Sequence, residues 1–357
     1  MRGVSGRVKE TAGAAPIGDE EAANLFSLWN SATGVLIAVS GGPDSIALLG
    51  LAARWRAGGA QTPLLAATFD HGLRAESARE ARMVSEFAES HGVTHHTLKW
   101  VGEKPTTRIQ ELAREARYDA LARHALFNER SHLAVAHHQG DQAETVLLRM
   151  AAGTGVAGLA GMSKVSWRSG VTIHRPFLDL PKPRLIATCR AYGWLFIEDP
   201  SNEDDRFARA RWRSLAPNLA AEGLTPERLT VLAGRARRAD AALEGMVDAW
   251  LADHPPGAFR QALLLRAIEW SAAPAELRLR LLARLIAQVA ARRGDDPAPQ
   301  RLDRLEKLAD ELDQAVASGR PLSRNLRGVL VRFDRSGALT FAPEPPRRPR
   351  SAAVRSS

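Results

Sequence analysis

From residue 19 to residue 151 of this 357-residue chain, short apolar runs alternate with longer amphipathic stretches. Runs at 35–39, 64–69 and 133–136, with a further segment at 94–98, predict buried strands. Between and around them, residues 20–29, 45–56, 75–91, 107–128 and 141–151 carry apolar positions at helical spacing. That alternation predicts an α/β fold with a doubly wound parallel sheet. Ligands of such sheets bind beyond the carboxyl ends of the strands, and three polar clusters fall there. They are Ser40 to Ser45, Asp70-His71-Gly72, and His137-His138 through Asp141.

Beyond this region the pattern changes. Residues 225–293 read as helical, with Leu279, Leu282, Leu285, Ile286 and Val289 on one stripe, and 294–299 read as a linker. A helix at 301–317 and a strand at 329–333 predict a small α+β piece. The organisation expected is a disordered tail at 1–18, an α/β domain at 19–216, a helical domain at 217–293, a small C-terminal domain at 300–342 and a flexible tail at 343–357.

Composition narrows the function classes. With 45% hydrophobic residues and no apolar run long enough to span a bilayer, the chain reads as soluble, without a membrane partner. Its N-terminal segment carries Arg2, Arg7 and Lys9 but no apolar h-region, so it does not read as a secretory signal. The single cysteine, Cys189, excludes an internal disulfide and a CxxC or zinc cluster, and it suits the cytoplasm. The net charge of +9 is mostly arginine, a residue that forks phosphates and stacks on bases, so RNA is the expected polyanion. Arginine enrichment also follows from a GC-rich coding sequence, so charge alone does not decide the point.

The chemistry concentrates after the first strand. Ser40-Gly41-Gly42-Pro43-Asp44-Ser45 stands between strand and helix, where unpaired helix N–H groups and the dipole favour an anion. Adjacent glycines let a pyrophosphate approach the backbone, and the serine hydroxyls add donors. A carboxylate there would repel phosphates unless it held a cation, which makes Asp44 the candidate Mg2+ ligand. The loop lacks the lysine of GxxxxGK[ST], so it is not a Walker A. It resembles instead the SGGxDS signature of the PP-loop ATP pyrophosphatases, which split ATP into AMP and pyrophosphate. Farther on, Asp141 and Glu144 read as an Asp-led capping box that also sets two carboxylates over the cleft of Asp44.

Taken with three further stretches, this loop resembles the tRNA(Ile)-lysidine synthetases. These are Asp70-His71-Gly72-Leu73-Arg74 running on to Ser77, residues 110–118 with Arg114 and Arg117, and residues 136–149 with His138, Asp141 and Glu144. Gly153-Thr154-Gly155, Arg175-Pro176-Phe177-Leu178 and Glu198-Asp199-Pro200-Ser201-Asn202 follow in the family's order. The chain departs from the pattern at Gly140, where the family often has an acidic residue or Asn. It departs again after Asn202, where Arg206, Arg209, Arg211 and Arg213 survive without the usual asparagine.

The resemblance implies a PP-loop, adenine nucleotide α-hydrolase-like sheet and a helical tRNA-binding domain. It also implies an ATP-dependent carbon–nitrogen ligase. Cytosine O2 at the wobble position of tRNA(Ile) with anticodon CAU would attack the α-phosphate of ATP. The ε-amine of free L-lysine would then displace AMP from C2. ATP would lie on Ser40, Gly41, Gly42, Pro43, Asp44 and Ser45, with Mg2+ on Asp44, and Asp44, Asp141 and Glu144 would carry the chemistry. Substrate contacts would come from Asp70, His71, Arg74, Arg114, Arg117, His138 and the four arginines from Arg206 to Arg213. A homodimer is left open. The alternative is another PP-loop tRNA-modifying or amide-forming ligase, for which paired cysteines or a glutaminase domain would be expected. A non-catalytic RNA-binding module would give no reason for Asp44.

Overall fold

The parallel pairing of β1 (Val35–Ala38) with β2 (Leu64–Asp70) on one side and β4 (His132–Ala134) on the other organises the first part of the chain. The computed structural model describes residues 13–70, 72, 77–100, 109–197, 208–259, 262–292 and 301–345. They fall into two units, Met1–Gly153 with Gly158–Arg235, and Thr154–Ala157 with Ala236–Ser357.

In the first unit, β3 (Thr94–Lys99), β5 (Val165–Arg168) and β6 (Val171–His174) complete a six-stranded sheet of order β3-β2-β1-β4-β6-β5. All pairings are parallel except the antiparallel edge pair β5–β6. Strand alternation divides the core cleanly. Val35, Ile37, Leu64, Ala66 and Ala134 face one side with α1 (Asp19–Leu25), α2 (Pro43–Ala57), α3 (Ser77–Ser90) and α7 (Lys182–Ala191). Leu36, Leu65, Ala67 and Leu133 face the other, against Tyr118, Leu121, Ala122 and Ala125 of α4 (Ile109–Phe127). Both faces are therefore covered, as a parallel sheet requires. α2 is buried continuously from Ser45 to Ala53, which explains why its sequence is apolar all round. Following α5 (Gln139–Ala151) and the short α6 (Val156–Leu159), α8 (Ala208–Ala221) packs on α5. α9 (Pro226–Asp253) sets Leu229 and Ala233 against Ala143 and Val146 of α5.

The predicted sheet is present, and the β5–β6 hairpin adds to it. Its turn residues Ser169 and Gly170 both have positive φ, 49° and 83°, the backbone of the two-residue turns that match strand twist.

The second unit corrects the expectation of continuous helix over 225–293. β7 (Gly257–Phe259) and β8 (Ala262–Arg266) form a hairpin there, ahead of α10 (Ala267–Ala272) and α11 (Ala275–Ala291). After α12 (Leu302–Ser318), β9 (Leu322–Leu326), β10 (Val329–Phe333) and β11 (Ala338–Pro343) complete an antiparallel sheet of order β7-β8-β11-β10-β9. The leucines of β8 suit a helix equally well. What makes them a strand is pairing with β11, Leu263 opposite Phe341 and Leu265 opposite Leu339, a partner distant in sequence. α11 and α12 bury Leu281, Leu282, Leu285, Ile286, Leu308 and Leu312 in the same core. Asp313 ties the layers, accepting from Trp270 Nε1 at 2.8 Å and pairing with Arg278 at 2.7 Å.

One polar pair lies inside the first unit. His132 Nδ1 and His174 Nε2 are 2.7 Å apart with their rings stacked, and burial, followed by the His132 and Arg175 charges, pushes His174 down to about 4. Burial also lowers His132. Both rings are therefore neutral when folded and take up protons on unfolding, so acid favours the unfolded chain. Stability is expected to be flat above pH 6.5 and to fall by about 2 kcal/mol as pH drops from 6.5 toward 4. Urea midpoints across that range test this, and His174→Phe should flatten the curve.

Candidate active site

The six-residue loop after β1 is held shut by its own side chains. Ser45 is buried at the first turn of α2; its hydroxyl donates to the Gly42 carbonyl at 3.0 Å and accepts from Ser40 N at 3.1 Å. Gly41 has φ +88°, its carbonyl accepts from Ile197 N at 2.9 Å, and a Cβ there would lie 2.6 Å from Ile197 Cδ1. Only glycine satisfies that backbone and that neighbour. Gly42 is the N-cap of α2, Pro43 follows at the start, and Asp44 is the acidic residue of the first turn.

The neighbouring strand β4 delivers the second wall. Here the sequence expectation of an Asp141–Glu144 capping box is corrected: α5 begins earlier, with His138 as N-cap. Asp141 Oδ2 accepts from His138 N at 3.0 Å, while His138 Nδ1 accepts from Gly140 N at 3.0 Å. Gly140 is thereby explained, because a Cβ would stand 2.8 Å from His138 Cε1. Since Nδ1 accepts, the proton of the neutral ring is on Nε2. That nitrogen lies 3.8 Å from Asp44 Oδ2 and 3.7 Å from Asp141 Oδ2.

α7 supplies the third approach, with Lys182 Nζ 3.8 Å from Asp44 Oδ2. The helix is anchored by Leu180, whose carbonyl accepts from Gln139 N at 2.9 Å, and by Cys189, whose thiol donates to the Pro43 carbonyl at 3.3 Å. Burial, then the Asp44 charge, pushes that thiol up to about 12, so Cys189 packs and does not attack. Sequence reasoning missed Lys182. Its signal is a lone lysine at a helix start in an arginine-dominated chain.

A cationic cluster brings together α4, the end of β5 and the residue that follows β6. The guanidinium carbons of Arg114, Arg117 and Arg168 stand 5.1, 5.4 and 5.2 Å from the Tyr118 ring centroid. Arg175 Nη1 donates to Ser163 O and Ser166 Oγ, both at 2.9 Å. Among the described residues, Arg117 Nε, Arg175 Nε, Tyr118 OH and His137 Nδ1 are buried without a hydrogen-bond partner. Burial and the charges of Arg114, Arg175 and Arg117 hold His137 neutral, opposed by Asp141.

The other sequence candidates are placed as follows. Asp70 ends β2 and its Oδ1 accepts from Gly72 N at 2.7 Å. Glu144 lies three residues beyond Asp141 on α5. Arg211 is exposed on α8, where the structure places Arg209 and Arg213 by backbone alone. His71, Arg74 and Arg206 lie outside the described residues.

Among the described residues no three-ligand cluster stands ready for a metal. The Asp44 carboxylate beside the loop fits Mg2+, which takes one or two carboxylates and completes its octahedron with phosphate and water.

A family model described as a PP-loop domain matches residues 18–219. A tRNA(Ile)-lysidine synthase of Methylobacterium nodulans is 48% identical over 343 residues, covering 95% of this chain and 99% of the relative. One of Bradyrhizobium sp. (strain BTAi1) is 46% identical over 360 residues, covering 94% and 97%. Among solved structures, a U34-tRNA thiolase of Methanococcus maripaludis superposes with a TM-score of 0.53 at 16% identity, over 61% of this chain and 77% of its own, a likeness of fold alone.

Gly140→Ala is expected to push His138 off its cap and destabilise the protein by about 1 kcal/mol. Gly234→Ala, in α9 with open space where the Cβ would go, should stabilise it by up to about 1 kcal/mol. Urea denaturation of both variants measures the opposite signs.

Proposed function

Because the chain belongs to the tRNA(Ile)-lysidine synthase family, we propose that this site joins free L-lysine to C2 of the wobble cytidine of tRNA(Ile) bearing CAU, in two steps on one nucleotide. The observation that carries the reading is the meeting of Asp44, His138 and Asp141 where β1 and β4 end side by side, next to the phosphate loop. ATP lies with its phosphates on the loop backbone and the start of α2. Cytosine O2 attacks the α-phosphate; the new P–O bond forms as the bond to pyrophosphate breaks, and pyrophosphate leaves with the electron pair. Mg2+ on Asp44 would neutralise charge on the phosphates when bound.

In the second step the lysine ε-amine attacks C2 and AMP departs. Asp141 and Glu144 orient the amine end. An ammonium brought between carboxylates must lose its proton before it attacks, and a carboxylate is its nearest acceptor. Arg114, Arg117 and Arg175, whose Nε atoms at 117 and 175 are buried without partners, offer bidentate donors to phosphate or to the lysine carboxylate. Asp70, His71 and Arg74, with the arginines from Arg206 to Arg213, complete the RNA contacts. An anticodon base is unstacked at low cost, which suits a site at the rim of a sheet. We assign the reaction to the cytoplasm. Among the described residues no helix is long and apolar enough to cross a membrane. The reading leaves a homodimer open.

Incubation with ATP, Mg2+, labelled L-lysine and unmodified tRNA(Ile) should give lysine-dependent AMP and label at the wobble cytidine. AMP without label would move the second substrate elsewhere, to another PP-loop ligase reaction. Asp141→Asn keeps an oxygen acceptor for the His138 cap, so the fold and nucleotide binding should persist while lysine transfer falls at least roughly 100-fold. Full transfer by this variant removes Asp141 from the mechanism.

A further inference from the structure

The phosphate loop carries no basic side chain, and the first turn of α2 has an acid instead, with Arg54 and Arg56 only at its far end. Triphosphate-binding loops of the Walker type meet the terminal phosphates with a lysine of their own. We propose that Lys182, from the start of α7, supplies that cation here and binds the pyrophosphate portion of ATP. The inference rests on the ATP-splitting reading given above.

Four observations carry it. Lys182 Nζ stands 3.8 Å from Asp44 Oδ2, at the mouth of the loop, with its side chain about half exposed at 48%. Helix stability does not account for it there, because a cation at a helix N-terminus opposes the dipole and α7 has no acid in its first turn. The base of the side chain is fixed: the backbone before α7 is tied to α5 through Leu180, Cys189 is tied to Pro43, and Trp194 packs so closely on Gly50 that a Cβ would meet it at 2.5 Å. The neighbouring cation is already committed, since Arg184 forks Glu21 at 2.7 and 2.8 Å.

A rigid base with a flexible four-carbon stem is what a phosphate-following ammonium needs. In the free enzyme the ammonium faces the Asp44 carboxylate. When ATP occupies the loop, it turns to the β- and γ-phosphates and leaves Asp44 to the metal. As the α-phosphate transfers to cytosine O2, the bond to pyrophosphate breaks and negative charge grows on the departing oxygen. Lys182 meets that charge as an ion pair, and no covalent bond is made to its side chain.

The test compares full-length wild type, Lys182→Met and Lys182→Arg by inhibition with inorganic pyrophosphate and, separately, with AMP, together with kcat and the urea midpoint. Lys182→Met is expected to weaken pyrophosphate inhibition roughly 10- to 100-fold and to lower kcat, with AMP inhibition and the midpoint unchanged. Lys182→Arg should recover part of the loss. Unchanged pyrophosphate inhibition in Lys182→Met overturns the proposal, and so does an equal loss of pyrophosphate and AMP inhibition with a lowered midpoint, which marks a structural role. A wild type that releases AMP and pyrophosphate without labelling tRNA would overturn the lysidine reading alone, and the pyrophosphate-to-AMP contrast would still decide Lys182.

Discussion

Three backbone pairings between β1 and β4, Val35 with His132, Leu36 with Leu133 and Ile37 with Ala134, set everything that follows at the site. Two parallel strands side by side must end at the same edge. The chain leaves β1 for β2 and β3 on one flank, and the strands beyond β4 lie on the other, so the connecting segments part and leave a crevice between the starts of α2 and α5. The phosphate loop and the His138 cap are what each strand places at that crevice. A slip of β4 by one residue in this register would turn Leu133 toward the opposite layer, out of the core it shares with Leu36.

The same edge accumulates groups that cost stability to keep. Buried donors at Arg117, Arg175, Tyr118 and His137 lack hydrogen-bond partners among the described residues. Each is a desolvation cost of the order of 1–3 kcal/mol that a purely structural core would have removed with an apolar side chain. They cluster around a neutral histidine and beside carboxylates, and under the proposed reaction this is preorganisation: donors already desolvated when an anion arrives.

How much was legible in the chain follows from how local each feature is. The strands at 35–39 and 64–69 and the loop at 40–45 declare themselves because their pattern and turn residues lie within one short window. The β5–β6 hairpin also had its signal, Ser169-Gly170 between alternating residues, in a segment too short to weigh against its surroundings. β8 had none, since its leucines become a strand only by meeting β11. At the site, Asp44 and Asp141 could be named from motif context, but the cap could not be assigned to His138 without seeing its ring fold back over Gly140. Lys182 is the extreme case: nothing near it in sequence relates it to Asp44, and only the packing of α7 on α2 does.

The bond from Ile197 N to the Gly41 carbonyl gives the phosphate loop a built-in reporter. That amide is protected from solvent deuterium only while the loop keeps its shape, whereas amides inside β1 or α2 are protected by the fold as a whole. Hydrogen exchange at Ile197 therefore reads the opening of the loop separately from unfolding of the sheet. Filling the loop with nucleotide should slow exchange at this position, far along the chain from the loop itself.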